Sequence, residues 1–237
     1  MIRLLVIALA LWAGPVLACE AVSHRDRAFT ICTADLSRDA ISLHLNGPDG
    51  APLGSFVALE REVDAPIRFA MNAGMYHQDR RPVGLYVEDG AQMAKLVTRD
   101  GPGNFGLLPN GVFCVAEAGA RVIESRRFAA DPPDCRHATQ SGPMLVIDGA
   151  LHPRFLPDSP SLKRRNGVGT TPDGRLVYFV ISDEPVTFHE MGTLYRDVLG
   201  VRDALFLDGT VSRLFAPGID RHDGGWPMGP MVAVTGG

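Results

Sequence analysis

The chain is built from short apolar runs, each closed by a cluster of Gly, Asn, Asp or Pro. Such a pattern can fold into little but closely turned antiparallel sheet. Ile41, Leu43 and Leu45 alternate with polar residues before Asn46-Gly47-Pro48-Asp49-Gly50. Leu85-Tyr86-Val87 runs into Glu88-Asp89-Gly90, Val112 to Val115 into a Gly119 turn, and Met144 to Ile147 into Asp148-Gly149. No repeat of fixed period and no linker-like tract interrupts this pattern. One segment reads as a helix. Thr187-Phe188-His189-Glu190 has capping-box spacing, and Gly200 stands where a C-terminal glycine belongs. Between them Phe188, Met191, Leu194, Tyr195 and Val198 share one face, with His189, Thr193 and Arg196 on the other. The order strand (Leu176 to Ile181), helix (Phe188 to Leu199), strand (Leu205 to Leu207) completes a single α+β domain: mostly antiparallel sheet with a few packed helices.

The first residues are of another kind. Arg3 precedes an apolar run from Leu4 to Leu11, then Trp12, Gly14, Pro15 and Val16-Leu17-Ala18. A short positive end, a short apolar stretch and a small residue at the cleavage point describe a secretory signal peptide over residues 1–18. The run is short for a membrane span. The domain then occupies residues 19–237, in the periplasm or outside the cell, with no stable membrane insertion once the leader is gone. A lipid anchor on Cys19 is the competing reading. It would leave an unpaired thiol among the four cysteines, and proximity favours Cys19–Cys32 and Cys114–Cys135 as disulfides. No C-x-x-C occurs, so a structural zinc site is not expected. Losing Arg3 with the leader moves the net charge from −4 to −5, which offers no broad basic surface to nucleic acid.

Four polar knots lie at expected strand ends: Asn72-Ala73-Gly74-Met75-Tyr76, Thr139-Gln140-Ser141-Gly142-Pro143, Arg164-Arg165-Asn166-Gly167-Val168-Gly169, and Asp208-Gly209 with Ser212 beyond. Taken singly, each reads as turn chemistry, and Asp before Gly often initiates a turn through its own backbone. Together, with Asn, Gln, Arg and Asp at their centres, they suggest one shared cleft. Common catalytic templates are missing. Ser141 lacks a nucleophile-elbow context and a visible paired base, there is no H-E-x-x-H or Walker loop, and the seven histidines are scattered. No metal or cofactor is expected.

The segments NAGMY (72–76), PVGLYVEDG (82–90), TQSGPMLVIDG (139–149), RNGVG (165–169) and ALFLDGTVSRLF (204–215) resemble the bacterial periplasmic branch of the phosphodiester glycosidase family. The resemblance covers about residues 28–235. It implies hydrolysis of a glycosidic bond whose anomeric oxygen is esterified to phosphate, with a link to envelope glycans or exopolysaccharide. Thr210 and Val211 replace two glycines of the wider family's Leu-Asp-Gly-Gly-Gly-Ser motif, and Ala73 replaces the first glycine of its Asn-Gly-Gly motif. On this reading Asp208 stabilises an oxocarbenium-like sugar, and Glu190 is a candidate second carboxylate that also fits a purely capping role. Arg165 grips the phosphate, Asn72 and Gln140 fix sugar hydroxyls, and Gly74, Ser141, Asn166, Gly209 and Ser212 complete a carbohydrate or sugar-phosphate site. The competing class is a non-catalytic polysaccharide-binding protein that aids envelope glycan assembly.

Overall fold

The computed structural model of the protein describes residues 17–236. The expected leader therefore lies outside the described residues, except for Leu17 and Ala18. Along the chain come β1 (Cys19–His24), β2 (Arg27–Asp35), β3 (Asp39–His44), α1 (Phe56–Glu62), β4 (Ile67–Asn72), β5 (Tyr86–Glu88) and β6 (Ala91–Ala94). Next are β7 (Gly111–Ala116), β8 (Gly119–Glu124), α2 (Ser125–Ala130), β9 (His137–Ser141), β10 (Met144–Ile147), β11 (Ala150–Leu151), β12 (Asn166–Thr170) and β13 (Leu176–Ser182). After α3 (Phe188–Thr193) come β14 (Asp203–Asp208), β15 (Leu214–Ala216), β16 (Arg221–His222) and β17 (Met231–Gly236).

These strands form three antiparallel sheets around one core. The first runs β1-β2-β13-β12-β14-β10-β11, the second β16-β15-β4-β17-β3, and the third β6-β5-β9-β7-β8. Period-two alternation explains the layering. In β14, Leu205 and Leu207 point into a central cluster shared with Phe69 and Val232 of the second sheet and Tyr86 and Phe113 of the third. Ala204 and Phe206 point outwards, into a layer covered by Met191, Leu194 and Tyr195. The other two sheets repeat the device: Phe56 and Leu59 of α1 cover Ala70 and Met231, and Phe128 of α2 covers Val112 and Ala138. Phe179 lies at the middle of the core, with Phe69 and Phe113 edge-on at 5.6 and 5.7 Å. Cutting it back to Ala costs about 3–5 kcal/mol.

The α+β reading holds, and so do the turn assignments. Asp89-Gly90 and Asp148-Gly149 both take positive φ at the two central positions, as two-residue hairpins of the type I′ class require. Both expected disulfides form. Cys19 and Cys32 face each other across β1 and β2, and Cys114 joins Cys135, closing separations of 13 and 21 residues. Each contributes about 3 kcal/mol by restricting the unfolded chain.

Three local expectations need correction. Only one of the expected helices was located in the sequence, and the structure adds short helices α1 and α2 between strands of the turn-rich region. The capping box at Thr187 and Glu190 is present, but α3 gives way to a π-helical turn over Leu194–Val198. The wider turn shifts the register of the face, so Val198 swings out to solvent while Thr193, expected on the polar side, is buried. Finally, Thr139-Gln140-Ser141 and Asn166-Gly167-Val168-Gly169 are strand rather than knots preceding strands. The β12 glycines are there for close approach: a Cβ on Gly167 would meet the Leu205 carbonyl at 2.7 Å, and one on Gly169 the Tyr195 ring at 2.9 Å.

Candidate functional site

The register of the first sheet brings two of the expected segments together. Asn166 at the start of β12 pairs with Asp208 at the end of β14, and the ladder shifts between Asn166 and Gly167. Asn72, at the end of β4 in the second sheet, reaches the same point. The Asn72 Nδ2 donates to Asn166 Oδ1 at 3.1 Å, and Asn166 Nδ2 donates back to the Asn72 carbonyl at 2.9 Å. Asn166 Oδ1 also accepts from the Asp208 backbone at 3.1 Å and from Ser212 Oγ at 3.3 Å. The Arg213 N–H donates to Asn72 Oδ1 at 2.9 Å. Asn72 and Asn166 are fully buried, so this amide pair locks two sheets together behind the Asp208 carboxylate.

Asp208 itself forms the turn at the edge of this hub. Its Oδ1 accepts from the N–H groups of Gly209 and Thr210 at 2.6 and 2.8 Å. Only 7% of the residue is exposed. Burial raises its pKa, opposed by the backbone donors of Thr210, Gly209 and Val211. Among the described residues no counter-cation enters that balance. The result is a fixed carboxylate whose charge is incompletely compensated, a state suited to meeting a developing positive charge.

Arg165 is the buried cation of the neighbourhood. Its Nε donates to the Val186 carbonyl at 2.9 Å and its Nη2 to the Ser161 carbonyl at 2.9 Å. The guanidinium lies 3.7 Å above the Phe188 ring and 5.5 Å from the Phe206 ring. Among the described residues Nη1 has no hydrogen-bond partner, and burial pulls the guanidinium down to about 10. A buried Arg with no carboxylate and one idle nitrogen is half of an ion pair. Phe206 lies two residues before Asp208 on the same strand, which ties Arg165 to the carboxylate's side of β14.

The remaining expected residues fall into two groups. Ser212 joins the hub, donating to the Asp208 carbonyl at 2.9 Å, and Gly209 gives the turn N–H. Gly74 lies at φ 148°, and a Cβ there would come within 2.8 Å of Thr139 Oγ1. Gln140 is stitched into the third sheet: its Oε1 accepts from Leu85 and Val97, and its Nε2 donates to the Val97 carbonyl and Ser125 Oγ. All four of its hydrogen-bonding positions are thus taken. Ser141 Oγ donates to the Leu207 carbonyl at 2.8 Å and has no base beside it among the described residues. Glu190 uses both oxygens away from the hub, accepting from Thr187 N–H at 2.7 Å and from Arg27 Nε at 3.0 Å. Burial would raise its pKa, yet the Thr187 and Arg27 donors bring the net shift downwards. Among the described residues no cluster of three or more His, Cys, Asp or Glu is close enough to hold a metal ion.

A cavity of about 780 Å³ lies elsewhere, lined by Leu36, Ala40, Val115, Gly119 and Arg175. It borders the β12–β13 turn, whereas Asp208 pairs with the opposite end of β12.

A model of the phosphodiester glycosidase family matches residues 65–235. The chain belongs to the phosphodiester glycosidase family. The uncharacterised Escherichia coli K12 protein YigE is 32% identical over 188 residues, which span 78% of this chain and 73% of YigE. Among solved structures, the fold is similar to the zebrafish N-acetylglucosamine-1-phosphodiester α-N-acetylglucosaminidase catalytic domain, auto-inhibited by its pro-peptide. That likeness has a TM-score of 0.63 at 14% identity and covers 94% of this chain and 85% of that one. A Burkholderia pseudomallei K96243 protein assigned as exported gives a TM-score of 0.62 at 12% identity, covering 88% of this chain and 74% of that one. The whole hub, from Asn72 to Arg213, lies within the phosphodiester glycosidase span. Strands β1 to β3 precede that span, yet β2 pairs with β13 and β3 with β17 to complete two of its sheets.

Three residues at this site escaped sequence reasoning. Phe188 was counted as core, but it carries the Arg165 guanidinium. Arg213 had no assigned part beyond its place in the 204–215 motif, and its N–H completes the Asn72 hub. Tyr76 sits near enough to Asp208 for that charge, together with burial, to raise its pKa. Its position directly after Asn72-Ala73-Gly74-Met75 was the available signal.

Proposed function

We propose that this protein is an exported hydrolase that cleaves the bond between an anomeric carbon and a phosphodiester, acting on an envelope or exopolysaccharide glycan. The observation that carries the reading is the presence of two unmatched charges held by neighbouring strands: a backbone-fixed, buried Asp208 at the end of β14 and, directly before β12, a buried Arg165 with an idle Nη1. Phosphate is a good leaving group, so little protonation is needed. The anomeric C–O bond breaks with its electron pair leaving on phosphate, which Arg165 receives in a charge-assisted hydrogen bond. Asp208 stabilises the oxocarbenium-like carbon and takes the proton of the water that adds to it. Asn72, Asn166, Gly74, Gly209 and Ser212 shape the sugar side of the site, while Gln140 and Ser141 hold the third sheet against it. Glu190 holds the start of α3 and so places Phe188 under Arg165. Two disulfides and an exported structural neighbour support work outside the cytoplasm. Among the described residues no helix is long and apolar enough to cross a membrane.

The test is turnover of methyl N-acetylglucosamine-1-phosphate diester, followed by release of free sugar and phosphomonoester. The parent chain hydrolyses it, and Asp208→Asn folds but loses at least about 100-fold in rate. An Asp208→Asn chain that works at the parent rate removes the assignment. Binding of the diester with no turnover by the parent chain points instead to a glycan-binding protein.

A further inference from the structure

Trp226 is 81% exposed, the most exposed large apolar side chain among the described residues. The other tryptophan, Trp12, lies outside them. A solitary exposed apolar residue is ordinary on a protein surface. What sets this one apart is that its backbone is pinned and that the pins come from the catalytic hub. Arg213 Nη1 donates to the Trp226 carbonyl at 2.7 Å, and its Nε and Nη2 both donate to the Asp223 carbonyl, at 3.1 and 2.8 Å. The same Arg213 donates its backbone N–H to Asn72. Tyr76, which feels the Asp208 charge, donates its hydroxyl to the Pro227 carbonyl at 3.1 Å and packs its ring over Gly229 so closely that a Cβ there would clash. The Met228 N–H donates to Gly54 at 2.9 Å, tying down the far end of the loop. A bare indole is thus presented on a rigid backbone, on the Tyr76–Arg213 flank of the hub.

We infer that Trp226 is a stacking platform for a pyranose ring, a glycan subsite bordering Asp208. The inference rests on the reading of the cleft as a sugar-phosphate site. A pyranose has one face rich in C–H groups and a rim of hydroxyls, and an indole offers a broad apolar face with an N–H at its edge. Fixing the backbone in advance removes much of the ordering cost that an exposed ring on a mobile loop would carry. The contacts of Arg165 run through Phe188 and Phe206, whereas those of Trp226 run through Arg213 and Tyr76. The two side chains are thus held by separate contact networks, and the inference gives the phosphate to Arg165 and the pyranose to Trp226.

Fluorescence separates this from the hydrolase reading. The signal of Trp226 is the parent spectrum minus that of Trp226→Phe. Titration with methyl N-acetyl-α-glucosaminide, a pyranose without phosphate, quenches or shifts that signal, and methyl phosphate alone leaves it unchanged. In turnover of the diester, Trp226→Ala raises KM about tenfold with kcat held within twofold, the loss of one stacking contact. Trp226→Phe recovers most of the KM, since it keeps an aromatic face. Equal KM values for parent and Trp226→Ala, or an indole signal blind to the glycoside, overturn the subsite whatever the outcome at Asp208. A glycoside response in a chain that turns nothing over keeps the platform and discards only the hydrolase reading.

Discussion

Replacing Arg165 with Met separates a cation kept for binding from one kept for stability. The guanidinium sits at about 10 instead of 12.5 because it is buried. At 1.36 kcal/mol for each tenfold change in proton affinity, this corresponds to about 3 kcal/mol of uncompensated desolvation. Against that stand two charge-assisted hydrogen bonds worth about 1.5 kcal/mol each and a desolvated contact with the Phe188 ring worth about 2. Met removes those 5 kcal/mol, but it also removes the 3 kcal/mol penalty and packs an apolar chain on Phe188 and Phe206 for about 2 more. The orphaned acceptors fare well too. The Val186 carbonyl keeps the Lys163 N–H at 3.1 Å, and Ser161 is exposed to water. Stability should therefore change by no more than about 2 kcal/mol, a shift in Tm within about 8 °C. Phosphate is the decisive probe. At a hundredfold excess over its Kd it stabilises the parent by about 2.7 kcal/mol, raising Tm by about 5–11 °C, and it leaves Arg165→Met unmoved. Thermal unfolding with and without phosphate measures both quantities. An equal phosphate response in parent and variant would refute the assignment, as would a parent chain that does not respond at all.

Four further outcomes follow from the structure. Because burial raises the Asp208 pKa and the ionised form is the active one, kcat/KM should rise with pH along an acid limb lying above the range of an exposed aspartate, and Asp208→Asn should lose that limb. The same sign means that Asp208 opposes folding once pH exceeds its raised pKa, so Asp208→Asn should be at least as stable as the parent at pH 7, by denaturant titration. Glu190→Gln keeps an acceptor for the Thr187 N–H but loses the charge facing Arg27; its depressed pKa marks stability present at neutral pH and lost as pH falls through it. A drop of about 1 kcal/mol, or 2–4 °C in Tm, with turnover intact is expected, whereas loss of turnover without loss of stability would make Glu190 the second catalytic carboxylate. Reduction of both disulfides should cost about 6 kcal/mol in total, seen as a lower denaturant midpoint under reductant.

Much of the fold was legible because its signals are local. Asp89-Gly90 and Asp148-Gly149 announce hairpins through backbone sterics that hold in any context, and Thr187 with Glu190 announces a helix start through bonds three residues apart. The glycines of β12 misled, since a glycine-rich stretch reads as a turn until Leu205 and Tyr195 are known to press against it. The π-helical turn after Thr193 is invisible for a similar reason: only packing against the sheet selects it.

The site divides along the same line. From sequence alone came the residue types, the strand-end position of Asp208 and the family resemblance on which its role was proposed. Tertiary structure decided that Asn72 and Asn166, 94 residues apart, would share one reciprocal amide pair behind it. It also decided that Gln140 would be consumed within its own sheet, and that Arg165 would be buried on Phe188 without a carboxylate. Hydrogen-bond capacity is a property of a residue, readable in a string of letters. Whether that capacity is spent or left open for a ligand depends on which sheets meet, and that is settled only when the core closes.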